Sequence, residues 1–216
     1  MDGMPPPDNP GAAVDVRPRW LVTPLEAAGP LRFGMTVAEA AAALPAAQQV
    51  RRFQADPYHP EVVGIELGFP SAAPALYEYF DEAGRLFCVA ADAVHGPRMV
   101  LDGMNLTGGD PDELEQWLSE LPDAVGGLRF GPRGNPGIEE LGLVLRAQAS
   151  AGDLSTRPVL VGREWADRCV DDYESFIPEC EWVGHLWPTP GLADEDKVWP
   201  SVRYPASWAG KWSPPF

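Results

Sequence analysis

The first regular pattern of hydrophobic and polar positions along the chain is helical. Apolar residues recur at helical spacing: Val37, Ala40, Ala41 and Leu44. Thr36 precedes them and can accept a hydrogen bond from the first turn, and Glu39 stands three residues later. That spacing is typical of a capping box. The pattern therefore predicts a helix that begins after Thr36 and ends near Pro45.

Strict alternation follows over residues 62–69, where Val63, Ile65 and Leu67 are separated by Gly64, Glu66 and Gly68. A period of two predicts a β-strand with one buried face. Two further runs, 76–80 and 85–91, flank the short segment 81–84. They predict a β-hairpin in which Gly84 takes a positive φ.

The second half of the chain follows the same plan. Asp110 is placed to cap a helix, Pro111 fits its first position and Glu113 lies three residues after the cap. The hydrophobic stripe of this helix is formed by Leu114, Trp117, Leu118 and Leu121. Residues 141–146 and 158–163 are predicted strands, and the glycine- and proline-rich segment 131–137 is predicted as a hairpin loop or mobile tip.

These elements predict an α+β fold built from two tandem units, each a helix packed on antiparallel strands. The expected divisions are a flexible N-terminal arm at 1–19, a first unit at 20–103 and a second unit at 104–178. Residues 179–216 are rich in tryptophan and proline and lack periodicity. They predict an irregular tail that packs on the sheet.

Charge narrows the classes of partner. The chain has 32 acidic and 16 basic residues, for a net charge of −16. The negative electrostatic field of such a chain disfavours binding to nucleic acids and to anionic membrane surfaces, and it favours binding to a basic protein. Solubility alone is the alternative explanation of the acidity.

The N-terminal residues show no secretory signal, and no run approaches the roughly 20 apolar residues that span a bilayer. The three cysteines, Cys88, Cys169 and Cys180, form no paired framework. Both features predict a cytoplasmic protein, expected to be a monomer or a weak homodimer. Cys88 lies inside a predicted strand and is interpreted as a core residue.

The sequence shows no P-loop, dinucleotide fingerprint, nucleophile elbow or zinc-protease helix, so no cofactor and no catalytic residue is predicted. The alternative is a metal-dependent enzyme that uses Cys169, Cys180 and His185, or the nearby acids. Zinc sites usually contain close cysteine pairs, which this region lacks. The loop histidines His59 and His95 are interpreted as surface residues.

Residues 164–196 combine ten acids with five large aromatic residues and a single arginine. Acids steer a basic partner and rigid aromatics anchor it. The candidate partner-binding residues are Asp171, Asp172, Tyr173, Glu174 and Trp182. In the alternative interpretation, the aromatics form the inner side of a cover over the sheet and the acids form its solvated side.

Four stretches carry a family resemblance: residues 31–40 (LRFGMTVAEA), 81–85 (DEAGR), 102–106 (DGMNL) and 140–143 (ELGL). They resemble small actinobacterial proteins that include immunity proteins of polymorphic toxin systems. The FGMT opening of the helix is also similar to a helix-plus-sheet module of outer-membrane assembly lipoproteins and tandem-repeat β-lactamase inhibitors. The resemblance implies a cytoplasmic, non-enzymatic inhibitor that occupies the active cleft of a toxin.

Overall fold

Antiparallel β-structure dominates the chain, with two principal helices, so the fold belongs to the α+β class. The computed structural model describes residues 16–56, 59–69, 73–122, 125–131, 134–150, 153–168, 177–182 and 187. The helices are α1 (Val37–Ala43), α2 (Pro111–Ser119) and α3 (Glu179–Trp182). The strands are β1 (Arg19–Thr23), β2 (Ala27–Ala28), β3 (Leu31–Arg32), β4 (Gln48–Gln54), β5 (Val63–Gly68), β6 (Leu76–Phe80), β7 (Leu86–Ala91), β8 (Arg98–Leu101), β9 (Met104–Asn105), β10 (Arg129–Phe130), β11 (Pro136–Ile138), β12 (Leu143–Ser150) and β13 (Asp153–Val161).

The main sheet has eight strands in the order β10-β11-β12-β13-β7-β6-β5-β4. Strands β4 to β7 form one antiparallel meander and β10 to β13 form another. The last strands of the two meanders, β7 and β13, pair antiparallel at the centre. A second sheet has the order β3-β2-β1-β8-β9, and its β1–β8 pair is parallel.

Helix α1 begins as the sequence predicts. The Thr36 hydroxyl accepts a hydrogen bond from the Glu39 amide at 3.3 Å, and the Thr36 amide donates to the Glu39 carboxylate at 2.8 Å. This reciprocal pair satisfies two amides that the helix itself leaves unpaired. The predicted capping box is therefore confirmed.

Helix α2 is also confirmed. The Asp110 carboxylate accepts a hydrogen bond from the Asp112 amide at 2.8 Å, and Pro111 occupies the first helical turn. Leu114 and Leu118 are buried against the sheet. The hydrophobic stripe therefore fixes which side of α2 faces the core.

The predicted hairpin is formed by β6 and β7, and Gly84 has a φ of +69° in its turn. Three strand predictions need correction. Strand β5 is buried on both faces, not on one, because protein covers both sides of the sheet. Residues 139–141 form a 3-10 turn, so β12 begins at Leu143. Strand β13 is longer than the predicted 158–163 and starts at Asp153.

The main sheet has two buried faces with different chemistry. The helix-covered face carries a row of directly opposed residues across the strands: Ile65, Glu78, Val89, Leu160 and Leu143. The opposite face carries Tyr77, Tyr79, Arg146 and Arg157, and residues of the 177–182 segment pack against it. Glu78 on the helix-covered face and Glu181 against the opposite face are both buried, and their surroundings differ.

Candidate functional site

A cleft lies beside the β6–β7 hairpin and has a volume of about 340 Å³. Its walls include Phe33, Asp81, Arg85, Phe87, Glu164 and Trp165. Clefts that combine apolar walls with a few polar groups are the usual location of binding sites. The lining of this cleft therefore makes it the candidate binding site.

Aromatic rings form one wall of the cleft. The rings of Phe87 and Trp165 stack with centroids 4.1 Å apart at an interplanar angle of 27°. Gly162 allows Phe33 to pack closely, because a Cβ on Gly162 would lie 2.8 Å from the Phe33 Cβ. The Gly162 amide also donates to the Phe87 carbonyl at 2.9 Å. This wall is held by both packing and hydrogen bonds.

The polar wall of the cleft carries both signs of charge. The Asp81 carboxylate accepts a hydrogen bond from the Arg85 amide at 2.8 Å, and the Arg85 guanidinium donates to the Gly34 carbonyl at 3.1 Å. Arg163 and Glu164 are exposed at the mouth. The cleft can therefore contact a partner through charge as well as through stacking.

Backbone strain is present at the same place. Leu25 lines the cleft with a φ of +62°, in the left-handed region that costs a non-glycine residue about 1–3 kcal/mol. Such strain persists where the surrounding structure enforces it, and it is frequent at binding sites.

A buried ion cluster lies on the opposite face of the sheet. The Arg157 guanidinium donates two hydrogen bonds to Glu181, from Nε to Oε2 at 2.9 Å and from Nη2 to Oε1 at 2.7 Å. Arg146 Nη1 lies 3.7 Å from Glu181 Oε2, and the Tyr79 hydroxyl donates to the same carboxylate. Arg146 and Arg157 are directly opposed on β12 and β13, so Glu181 offsets the repulsion between their like charges.

Burial and charge together set the ionisation of this cluster. Burial raises the pKa of Glu181, but Arg157, Arg146 and the Tyr79 hydroxyl hold that pKa below its ordinary value. Burial lowers the pKa of Arg146 to about 10, so its guanidinium stays charged at neutral pH. The cluster is therefore a buried, ionised salt bridge that connects α3 to the sheet.

Cys180 belongs to the same cluster, with its Sγ donating to the Tyr79 hydroxyl at 3.5 Å. Burial, and then the Glu181 charge, raise the pKa of the Cys180 thiol well above its ordinary value. A nucleophilic or metal-binding cysteine needs the thiolate. In this structure Cys180 is a buried, protonated thiol.

The predicted partner-binding residues Asp171, Asp172, Tyr173 and Glu174 lie outside the described residues, and so does the side chain of Trp182. Cys169 and His185 of the metal alternative lie outside them as well. Across the described ranges, no group of three or more His, Cys, Asp or Glu residues is placed to hold a metal ion.

The structure overturns the predicted surface position of one acidic residue, and it confirms the predicted positions of two histidines and one cysteine. Glu181, interpreted as part of a surface, is fully buried and ion-paired. His59 and His95 are about half exposed and contact Glu61 and Asp92, as expected for surface histidines. Cys88 is fully buried in the core, as predicted.

Sequence reasoning missed the buried ion cluster and Glu78. The sequence does contain an indication of both, because Glu78 and Arg146 are charged residues inside strands whose other residues predict burial. A charge in such a position usually has a partner or a function. The partner of Arg146, Glu181, is distant in sequence and could not be identified from the pattern.

Comparison of the chain with family models, with curated proteins and with solved structures found no match. Among the described helices, none has the length and apolar character needed to cross a membrane.

Proposed function

We propose that this protein is a non-enzymatic binding module, an immunity-like inhibitor of a basic toxin partner. It acts in the cytoplasm as a monomer or weak homodimer and binds neither nucleic acid nor membrane. The observation that carries the proposal is the cleft beside the β6–β7 hairpin, whose wall contains Glu164 and Trp165. These are the first two residues of the acidic and aromatic segment 164–196.

The cleft supplies both parts of a protein-binding surface. Trp165 is a large, rigid ring that is already stacked on Phe87, so little side-chain entropy is lost when a partner covers it. Glu164 is exposed at the mouth, and the net charge of −16 favours the approach of a basic protein. The remaining candidates, Asp171, Asp172, Tyr173, Glu174 and Trp182, would extend this surface along the chain.

The proposal also draws on the sequence resemblance to immunity-type inhibitors and on the order of elements along the chain. A helix followed by a four-stranded meander occurs twice, as α1 with β4 to β7 and as α2 with β10 to β13. We interpret these as two tandem units, 20–103 and 104–178, followed by a tail at 179–216. Two such units joined through β7 and β13 make one continuous sheet with a large surface for a partner.

The proposal is tested with the toxin domain encoded beside the gene of this chain. We expect co-expression to protect cells from that toxin, and we expect the purified pair to associate with a rate that falls steeply with added salt. The absence of both protection and binding would contradict the proposal.

Charge reversal localises the surface. Glu164→Lys should weaken binding on the order of tenfold, because it places a cation in the cleft that receives the basic partner. Glu113→Lys, on the exposed side of α2, is the matched variant, since it changes the net charge equally. Equal effects of the two variants would mean that net charge, and not the cleft, governs binding.

The metal-dependent enzyme remains the rival class. Metal analysis of protein purified without added metal separates the two classes. Stoichiometric zinc that is lost in Cys180→Ser would favour the enzyme, although the buried, protonated state of Cys180 argues against it.

A further inference from the structure

A second, smaller cavity lies on the helix-covered face of the sheet, between α1 and strands β4 to β6. Its volume is about 160 Å³. Its lining is mainly aliphatic, with Val37, Ala41 and Leu44 from α1 and Ile65 and Leu67 from β5. One ionisable residue, Glu78, also lines it.

Glu78 is unusual in this position. Its side chain faces the same side of the sheet as its cross-strand partners Ile65 and Val89, both of which belong to the hydrophobic core. Glu78 is only 2% exposed, and its Oε1 accepts no hydrogen bond within the described part of the chain. A buried carboxyl group without such a partner is costly, and it usually has a function or a ligand.

Among the residues that the structure describes, no cation of the sheet compensates the charge of this carboxyl group. Arg52 lies in the same cross-strand row, but Ile65 separates it from Glu78 and its side chain is exposed to solvent. Burial alone raises the pKa of Glu78 to about 7. The carboxyl group can therefore ionise near neutral pH when a positive charge is brought to it.

We propose that the cavity beneath α1 binds a small primary ammonium with an aliphatic body, with Glu78 as its counter-ion. The aliphatic walls would hold the carbon chain and the carboxylate would hold the ammonium group. An apolar cavity of about 150 Å³ holds one benzene molecule, so the ligand has about six non-hydrogen atoms. This inference goes beyond the proposed protein-binding function and does not depend on it.

The probe is n-pentylammonium at pH 8, and 1-pentanol is its neutral analogue of equal size. We expect pentylammonium to shift the backbone amide resonances of α1, β5 and β6 in a saturable manner. We expect 1-pentanol to bind at least about fivefold more weakly, because it cannot form the charge-assisted hydrogen bond.

Three variants assign the interaction. Glu78→Gln removes the counter-ion and should weaken pentylammonium binding at least about tenfold, with little effect on 1-pentanol. Ala41→Leu fills the mouth of the cavity from the exposed side of α1 and should abolish binding of both probes. Glu66→Gln is the matched control, since Glu66 is buried on the opposite face and paired with Arg51, and it should bind as the wild type does.

Equal affinity for the charged and neutral probes, or unchanged pentylammonium binding in Glu78→Gln, would overturn the proposal. Resonance shifts that do not saturate, or that lie away from α1, β5 and β6, would also overturn it. Ala41→Leu keeps the question decidable if Glu78→Gln fails to fold, because it leaves the carboxyl group in place.

Discussion

Two buried carboxyl groups on opposite faces of one sheet behave in opposite ways. Glu78 on the helix-covered face and Glu181 on the opposite face are 2% and 0% exposed. Burial raises the pKa of Glu78 to about 7, whereas Arg157 and its neighbours hold the pKa of Glu181 below its ordinary value despite burial. The comparison teaches that the available partners, and not burial, decide whether a buried acid is charged.

The different surroundings of Glu78 and Glu181 also indicate different roles for the two carboxyl groups. Glu181 receives two hydrogen bonds from Arg157 and one from Tyr79, so it ties the 177–182 segment to the sheet. Glu78 faces a cavity with aliphatic walls. The first carboxyl group is used within the fold, and the second is placed to meet a ligand.

Removing the charge of Glu181 should have the largest effect on stability. Glu181→Gln takes away the carboxylate that lies between two buried guanidinium groups, and this should lower the free energy of unfolding by about 3–5 kcal/mol. Urea denaturation at pH 7 measures this loss in the free energy of unfolding. Glu26→Gln is the control, because Glu26 and Arg163 form an exposed pair that should contribute less than about 1 kcal/mol. Equal losses in the two variants would break the comparison.

Removing the charge of Glu78 should act in the opposite direction. The carboxyl group has a pKa of about 7 in the folded protein against 4.5 ordinarily, so between these values the folded state binds more protons. Its contribution to the free energy of unfolding therefore falls as the pH rises from 4.5 to about 7, and stays constant above.

Glu78→Gln should thus be more stable than the wild type by about 3 kcal/mol at pH 8, with the difference shrinking towards pH 4.5. Urea denaturation of both proteins across this pH range measures the difference. A variant that is less stable than the wild type at pH 8 would show that the ionised group has a partner in the fold.

Removing a single donor to Glu181 should have a smaller effect. Tyr79→Phe keeps the ring against Phe53 and deletes the hydroxyl that donates to the carboxylate. Hydrogen bonds to charged groups contribute about 1.5–3 kcal/mol, so we expect a loss of about 2 kcal/mol by urea denaturation. No change would mean that the two arginines alone hold the carboxylate.

The smallest effect is expected for a third carboxyl group of intermediate character. Glu66 is buried, but its partner Arg51 is 37% exposed at an edge strand and can be hydrated when the pair is broken. Glu66→Gln should therefore cost about 1 kcal/mol, measured in the same denaturation series. A loss as large as that of Glu181→Gln would show that exposure of the partner does not matter.

The sequence predicted the local elements well and the buried polar groups poorly. Helix α1 and the β6–β7 hairpin depend on caps, turns and spacing within a few residues, all of which are visible in the sequence. The bond between Tyr79 and Glu181 joins residues 102 positions apart, so no local pattern could reveal it.

The burial of Glu78 can be predicted from its neighbours in the sequence. Leu76, Glu78 and Phe80 share one face of β6, and the apolar residues on either side of Glu78 predict that this face is buried. The cleft could not be predicted from the sequence, because Phe33, Phe87 and Trp165 come from three distant parts of the chain. Only the folded chain brings these three rings together.

The most direct test of the account is a site-specific carbon-13 NMR titration of the Glu78 and Glu181 carboxyl groups in one sample. We predict that Glu78 titrates near pH 7 and that Glu181 stays ionised below pH 4.5 for as long as the protein is folded. Pentylammonium should lower the pKa of Glu78 and leave the pKa of Glu181 unchanged, because binding and ionisation at one site are reciprocal. Two carboxyl groups that titrate together near their ordinary value would contradict the account.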